Sequence, residues 1–332
     1  MLNKSKYVLF SIIPLLVLFL SLEVAQRIRY SVRYNDYKWL LYGYRFQVQP
    51  VDKGIKIEKL SSKLAIEEAF SLLSIPPNTK TDRYKFIFCI GGSSTAGVFN
   101  DKYHKYPYLL NRLIGPDYIV INLGSSSRIS DDYPDIIREL LLSKISLELG
   151  IFYCGYNDMF IKDVNKIYAT FCNQLLNTHH IMLRYSLLIS TLTEKYIIYS
   201  KNQAKTYKSD LKRYERLEKE FYKNIEECVN LLNAHKIKVV LIPEILMAKN
   251  FGTITTNYEN YAEKYINIPN MLKEISAKYN CDFINLQDSF NNTDFKRYFF
   301  DTVHLTDEGN KTLSKLIFQN SRYIKELINN KE

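Results

Sequence analysis

Four short runs in this 332-residue chain hold the residue types that acyl chemistry uses: GGSSTAG at Gly91 to Gly97, NLGSSS at Asn122 to Ser127, GYND at Gly155 to Asp158, and DTVHLTDEG at Asp301 to Gly309. Each is weak alone. In order, they supply a serine, a glycine amide, an asparagine amide and an Asp-x-x-His pair, the parts that acyl transfer at an ester requires. A serine hydroxyl is a poor nucleophile until a base takes its proton, so Ser93 needs a histidine. His304 is the only histidine read at the carboxyl end of a strand. Asp301, three residues earlier, can fold back in the same loop to accept from one ring nitrogen of His304, fixing its tautomer and stabilising the imidazolium. For a developing oxyanion, the backbone N–H groups of Ser93 and Gly124 and the side-chain amide of Asn157 offer three donors. Glycine at 124 lets the backbone come close, and Ser93 at the start of a helix adds a favourable dipole.

These residues need elements that bring them together. KFIFCI, DYIVINLG, LELGIFYCG, IKVVLIPE and CDFINLQD are short β-rich apolar runs. The segments between them, notably Asp132 to Ser143 and Lys208 to Ala234, have helical period. Strands alternating with helices predict a parallel sheet covered on both faces, with ligands bound beyond the carboxyl ends of its strands. The segment from 160 to 206 interrupts this alternation with Tyr, Leu, His179 and His180 but no clean strand. It reads equally as a helical lid over the site or as packing on the sheet edge.

The four motifs resemble blocks I, II, III and V of the SGNH (GDSL-like) hydrolase superfamily, whose name lists its Ser, Gly, Asn and His residues. Here these are Ser93, Gly124, Asn157 and His304, and Asp301 matches the Asp of that family's DxxH. The match runs from about Lys85 to the C-terminus, excluding the insertion. The resemblance implies a flavodoxin-like three-layer α/β/α sandwich and esterase-type chemistry needing no metal or organic cofactor. The sequence departs from the family at Gly92, where the name-giving GDS has Asp; that Asp is not the catalytic acid, so the change bears on turn stability and selectivity.

Rival readings of the first loop fail on single residues. A P-loop needs lysine after its second glycine, and Val98 stands after Gly97. An α/β-hydrolase elbow needs G-x-S-x-G, and Thr95 occupies its last place. Asp158 reads as a structural anchor rather than a catalyst, and Thr306 as the N-cap of the last helix run. His179 and His180 have no carboxylate or cysteine at ligand spacing, so no metal site is expected.

Composition sets outer bounds. With 46% hydrophobic residues the chain can bury a real core, and its net charge of +10 comes mostly from scattered lysines, so no nucleic-acid partner is expected. Five cysteines without a CxxC pair indicate neither a disulfide framework nor a zinc site, and Cys89, Cys154 and Cys281 read as small hydrophobes. Near the N-terminus, YVLFSIIPLLVLFLSLEVA, Tyr7 to Ala25, is almost wholly apolar and close to the roughly 18 residues that span hydrocarbon. No A-x-A-like cleavage site follows, which favours an uncleaved single-pass anchor over a signal peptide.

The expected organisation is therefore an anchor at 1–26, a stalk or extension at 27–82 ending near Pro76 and Pro77, and an SGNH domain at 83–330 with the insertion at 160–206. Lys4 and Lys6 face Arg27, Arg29, Arg33 and Lys38 across the anchor, a balance that leans toward a cytoplasmic C-terminal side. Resemblance to anchored members that act on acylated envelope sugars implies the opposite side. The expected substrate is an acylated carbohydrate, with a lipid ester as the alternative. O-acyl transfer to a surface polysaccharide and a low-turnover binding module stay open beside hydrolysis.

Overall fold

The computed structural model describes residues 2–34, 62–76, 79–126, 128–160, 211–247, 265, 267–291 and 294–329. It divides into two compact units, one formed by 1–58 with 166–209 and the other by 59–165 with 210–332. The expected insertion at 160–206 lies almost wholly outside the described residues, as do His179 and His180.

In the first unit, α1 runs from Leu2 to Tyr34. Leu16, Val17, Leu18, Leu20, Leu22 and Val24 are exposed on it, and Arg27 pairs with Glu23 one turn earlier at 2.8 Å. Among the described residues no helix is long and apolar enough to cross a membrane. The side chains of 1–13 and 15, which carry much of the expected Tyr7–Ala25 anchor, lie outside the described residues.

The second unit is built on five parallel strands, β1 (Lys85–Gly91), β2 (Tyr118–Gly124), β3 (Ser146–Cys154), β4 (Lys238–Pro243) and β5 (Asp282–Phe283), in the order β2-β1-β3-β4-β5. This is the flavodoxin-like order, which reverses direction between β1 and β3 and so opens a crevice at their carboxyl ends. Period-2 alternation splits β1 cleanly. Phe86, Phe88 and Ile90 enter one core, and Ile87 and Cys89 the other.

Helices cover both faces, as a buried parallel sheet requires. The first core is closed by α2 (Ser62–Leu72), α5 (Tyr133–Leu142), α7 (Leu211–Ala234) and α8 (Asn267–Tyr279), through side chains such as Phe70, Ile137, Phe221 and Leu272. The second is closed by α4 (Tyr106–Ile114), α11 (Asp307–Asn320) and α12 (Arg322–Asn329), through Leu110, Leu313, Ile317 and Ile324. Fully burying one such Leu or Phe contributes about 1.5–3 kcal/mol, which is why the apolar stripes fix the layers. Helix α2 belongs to this sandwich, because Ala65, Ala69 and Phe70 are buried, so part of the expected 27–82 extension is built into the sheet domain. Cys89, Cys154, Cys228 and Cys281 are free and buried; Cys172 lies outside the described residues.

Candidate active site

Three very short helices start where the chain leaves the sheet or approaches its last long helix: α3 (Ser93–Ala96) after β1, α6 (Tyr156–Phe160) after β3, and α10 (Phe295–Tyr298) before α11. Gly91 and Gly124 are register partners at the ends of β1 and β2. A Cβ on Gly124 would lie 2.3 Å from the Ala96 nitrogen and 2.5 Å from the Thr95 carbonyl carbon. The bare glycine is what lets α3 settle over the edge of the sheet, presenting Ser93 as its first residue.

Ser93 Oγ lies 2.7 Å from His304 Nε2, and His304 Nδ1 lies 2.6 Å from Asp301 Oδ2. Asp301 Oδ1 also accepts from the backbone N–H groups of Val303 at 3.0 Å and His304 at 2.8 Å, so the loop closes on its own carboxylate. The structure thus joins Ser93, His304 and Asp301 in one hydrogen-bonded chain. His304 does not directly follow a strand, contrary to the sequence expectation. After β5 the chain makes α9 (Gln287–Asn291) and then α10 before reaching Asp301. Two contacts pin the loop instead. Phe299 and Leu305 form an isolated antiparallel bridge, and Thr306 caps α11 by accepting from the Gly309 N–H at 3.1 Å.

Burial pulls the His304 pKa down, but the charge and hydrogen bond of Asp301 outweigh it and hold the imidazole above its ordinary value. Burial likewise raises Asp301, yet the His304 charge, its hydrogen bond and the two backbone donors leave the carboxyl below its ordinary range. Phe99 meets the His304 ring edge-on at 4.8 Å between centroids and Phe300 at 5.8 Å, forming an aromatic wall beside the imidazole.

The other two candidate residues stand on separate elements, Asn157 in α6 and Gly124 at the end of β2, and already have partners. Asn157 is buried and donates through Nδ2 to the Arg128 carbonyl at 2.9 Å, leaving one hydrogen of the amide for another acceptor. Its Oδ1 is buried with no hydrogen-bond partner among the described residues, a costly arrangement of the kind found at functional sites. The Gly124 N–H donates to Asn122 Oδ1 at 2.9 Å, so a bound oxyanion would share that donor or displace the Asn122 side chain. As the first amide of α3, the Ser93 N–H has no intrahelical acceptor. Asp158 is an anchor, accepting through Oδ1 from the Ser130 N–H at 2.9 Å and the Ser130 hydroxyl at 2.5 Å.

Gly92 lies directly against Asn157: a Cβ there would be 2.4 Å from its Nδ2. The family's Asp at this place would need the amide to move. Sequence reasoning gave no role to Ser94 or Glu244, both buried beside the site. For Glu244 the signal was present, because it closes the apolar run IKVVLIPE at a strand's carboxyl end.

The five-stranded parallel sheet, with Ser93, His304 and Asp301 hydrogen-bonded in one chain beyond it, is consistent with the SGNH hydrolase fold. The chain belongs to the GDSL-like Lipase/Acylhydrolase family, whose model matches residues 89–312, and it is a hydrolase acting on ester bonds. Among solved structures it is similar to a lipolytic G-D-S-L family protein from Veillonella parvula, at 12% identity over 71% of this chain and 97% of that one, with a TM-score of 0.46. It is also similar to the acetyl xylan esterase AlAXEase, at 19% identity over 71% and 98% with a TM-score of 0.45. A carbohydrate acetylesterase family member from Sinorhizobium meliloti is similar at 15% identity over 74% and 99%, with a TM-score of 0.46. No curated protein matches the chain.

Proposed function

We propose that this chain is a membrane-anchored SGNH-type serine esterase that removes an acyl group, with O-acetyl as the leading candidate, from a carbohydrate of the cell envelope. The observation that carries the chemistry is the unbroken chain Asp301–His304–Ser93, at 2.6 and 2.7 Å. In this reading His304 Nε2 takes the Ser93 proton as Oγ attacks the ester carbonyl, and Asp301 stabilises the imidazolium without itself taking a proton. The oxyanion is met by the Ser93 N–H, the remaining amide hydrogen of Asn157, and Gly124 once Asn122 yields. Collapse expels the alcohol, which receives the proton from His304. Water, deprotonated in turn by His304, then attacks the acyl-Ser93 ester and frees the acid.

Because His304 hands its proton to the departing alcohol, the alcohol lies on the His304 side, against Phe99 and Phe300. That wall suits the apolar face of a sugar ring. The envelope assignment rests on the resemblance of an anchored SGNH domain to enzymes of acylated envelope sugars. The anchor rests on the apolar run Tyr7–Leu22, and the outward placement on the same resemblance, against the local charge balance.

The test is fluorophosphonate labelling of the purified full-length protein, followed by turnover of acetylated sugars. The reagent should label Ser93 stoichiometrically. Ser93→Ala should abolish labelling and lower turnover about 10³-fold or more while the fold survives, and Asn157→Ala should cost roughly 10²-fold with labelling slowed but retained. A sugar acceptor added to the acylated enzyme should leave free acid as the main product. Acyl-sugar as the main product would make the protein a transferase, and the absence of a Ser93 adduct would make it a binding module.

A further inference from the structure

The loop between α3 and α4, residues 97–105, carries two neighbouring exposed apolar side chains, Val98 at 39% and Phe99 at 36%. A single exposed apolar residue needs no explanation, but the Phe99 ring is held in place. It packs edge-on against the His304 ring at 4.8 Å and the Phe300 ring at 5.8 Å. The loop that presents it is ordered by tight turns. The Asn100 N–H donates to the Gly97 carbonyl at 3.1 Å and the His104 N–H to the Asp101 carbonyl at 2.9 Å, while Asp101 Oδ1 accepts from the Tyr103 N–H at 3.1 Å.

Asp307 fixes this loop to the helix that follows His304. It is the first residue of α11, and both of its carboxylate oxygens are spent on the loop. Oδ1 accepts from Asn100 Nδ2 at 2.9 Å, and Oδ2 pairs with His104 Nδ1 at 2.8 Å. Asn100 is the residue after Phe99. Further along α11, Asn310 accepts from the Tyr106 N–H at 3.0 Å and donates to the Thr306 carbonyl at 3.0 Å, which ties the end of the loop to the turn after His304. Loop and imidazole are thus registered on one helix start, with Phe99 between them. The Asp307 and His104 side chains are about half exposed, and ion pairs in such surroundings add little stability. What the pair supplies is placement.

We propose that Phe99 is a specificity-determining residue for the leaving alcohol, and that Asp307 is the positioning residue that holds it beside His304. To receive its proton the leaving oxygen comes within hydrogen-bond reach of His304 Nε2, which brings the rest of the alcohol beside a ring packed on that imidazole. A small alcohol such as ethanol ends before it can cover the ring. A sugar presents a face of C–H groups wide enough to lie on Phe99 and displace water from its exposed part. The loop therefore selects among alcohols rather than among acyl groups. This rests on the reading of Ser93 as nucleophile and of the substrate as a carbohydrate ester.

The experiment compares full-length wild type and variants on two acetyl esters that differ only in the alcohol, ethyl acetate and a mono-acetylated methyl xyloside. The readout is the ratio of kcat/KM for the sugar ester to that for ethyl acetate. Phe99→Ala should lower this ratio about fivefold or more, chiefly through KM for the sugar ester, and Phe99→Tyr, which keeps the ring, should preserve it. Asp307→Ala should lower the ratio about threefold or more, and adding it to Phe99→Ala should change the ratio little, because it acts through that ring. A merely structural role would slow both esters by the same factor. An unmoved ratio, or fully additive effects, would overturn the proposal. The pair Asn100→Ala with His104→Ala removes the same two contacts without altering α11 and should reproduce the ratio of Asp307→Ala. A wild-type ratio in that pair would overturn the positioning role. A wild type with no preference for the sugar ester would instead overturn the carbohydrate reading, and the absence of a Ser93 fluorophosphonate adduct the nucleophile reading, each taking this inference with it. A wild-type preference for the sugar ester that all the variants retain would overturn this inference alone.

Discussion

Asn157 is held by what its neighbours lack as much as by what they offer. Gly92 has no side chain, and the Asn157 amide occupies the space that a Cβ there would need, 2.4 Å from Nδ2. From that position the amide reaches the Arg128 carbonyl. Adding a methyl group by Gly92→Ala should push the amide off this acceptor and slow Ser93 labelling by about tenfold or more, in the same direction as Asn157→Ala. Both substitutions act through one amide, so their effects should not add: Gly92→Ala on an Asn157→Ala background should change the labelling rate little. A fully additive double variant would show that Gly92 acts elsewhere. The residue types of the site were legible in the sequence because Ser93, Asn157, Asp301 and His304 each sit in a short motif. Their occupancy was not. That Asn122 takes the Gly124 N–H, or that Glu244 accepts from the Tyr156 N–H, depends on side-chain directions that spacing does not encode.

Elements, more than the motif itself, decide where His304 stands. Two short helices and an isolated bridge separate it from β5, and Thr306 anchors the far side of the loop twice. Its Oγ1 accepts from the Gly309 N–H at 3.1 Å and its hydroxyl donates to the Arg297 carbonyl at 2.6 Å, tying α11 to α10. Thr306→Ala should lower stability by about 1–2 kcal/mol in denaturant melts, as N-cap removal does, and slow labelling less than tenfold. Loss of labelling comparable to that of Ser93→Ala, at unchanged stability, would mean that Thr306 touches the reaction. Helix positions were readable from period, since Asp132–Ser143 was expected and Tyr133–Leu142 is found. β5 was read as a longer run, CDFINLQD, but only Asp282 and Phe283 pair with β4. The difference is tertiary. Asp282 Oδ2 accepts from Ser321 Oγ at 2.9 Å and from the Arg322 N–H at 2.8 Å, so the strand's first residue serves the start of α12.

For the molecule as a whole, net charge and apolar burial make separable predictions. A net charge of +10 would hold the protein on an anionic surface through ion pairs that salt screens, whereas an inserted Tyr7–Leu22 segment would not respond to salt. Full-length protein should therefore stay in the membrane pellet through high salt and alkaline carbonate, and release by salt alone would remove the anchor. Stability against pH is governed differently, by the acid buried under the site. Glu244 has its pKa raised from 4.5 to about 7, so the folded protein binds this proton more tightly than the unfolded chain does. Below the unfolded value both states are protonated and the group costs nothing. As pH climbs from the unfolded value to the folded one, the unfolded chain ionises while the folded carboxyl stays protonated, and stability falls by roughly 3 kcal/mol. Glu244→Gln has no such proton. Its stability relative to wild type, from denaturant melts of the full chain, should improve by up to about 3 kcal/mol between about pH 4 and 8. A difference that stays flat over that range would place the Glu244 carboxyl at its ordinary pKa.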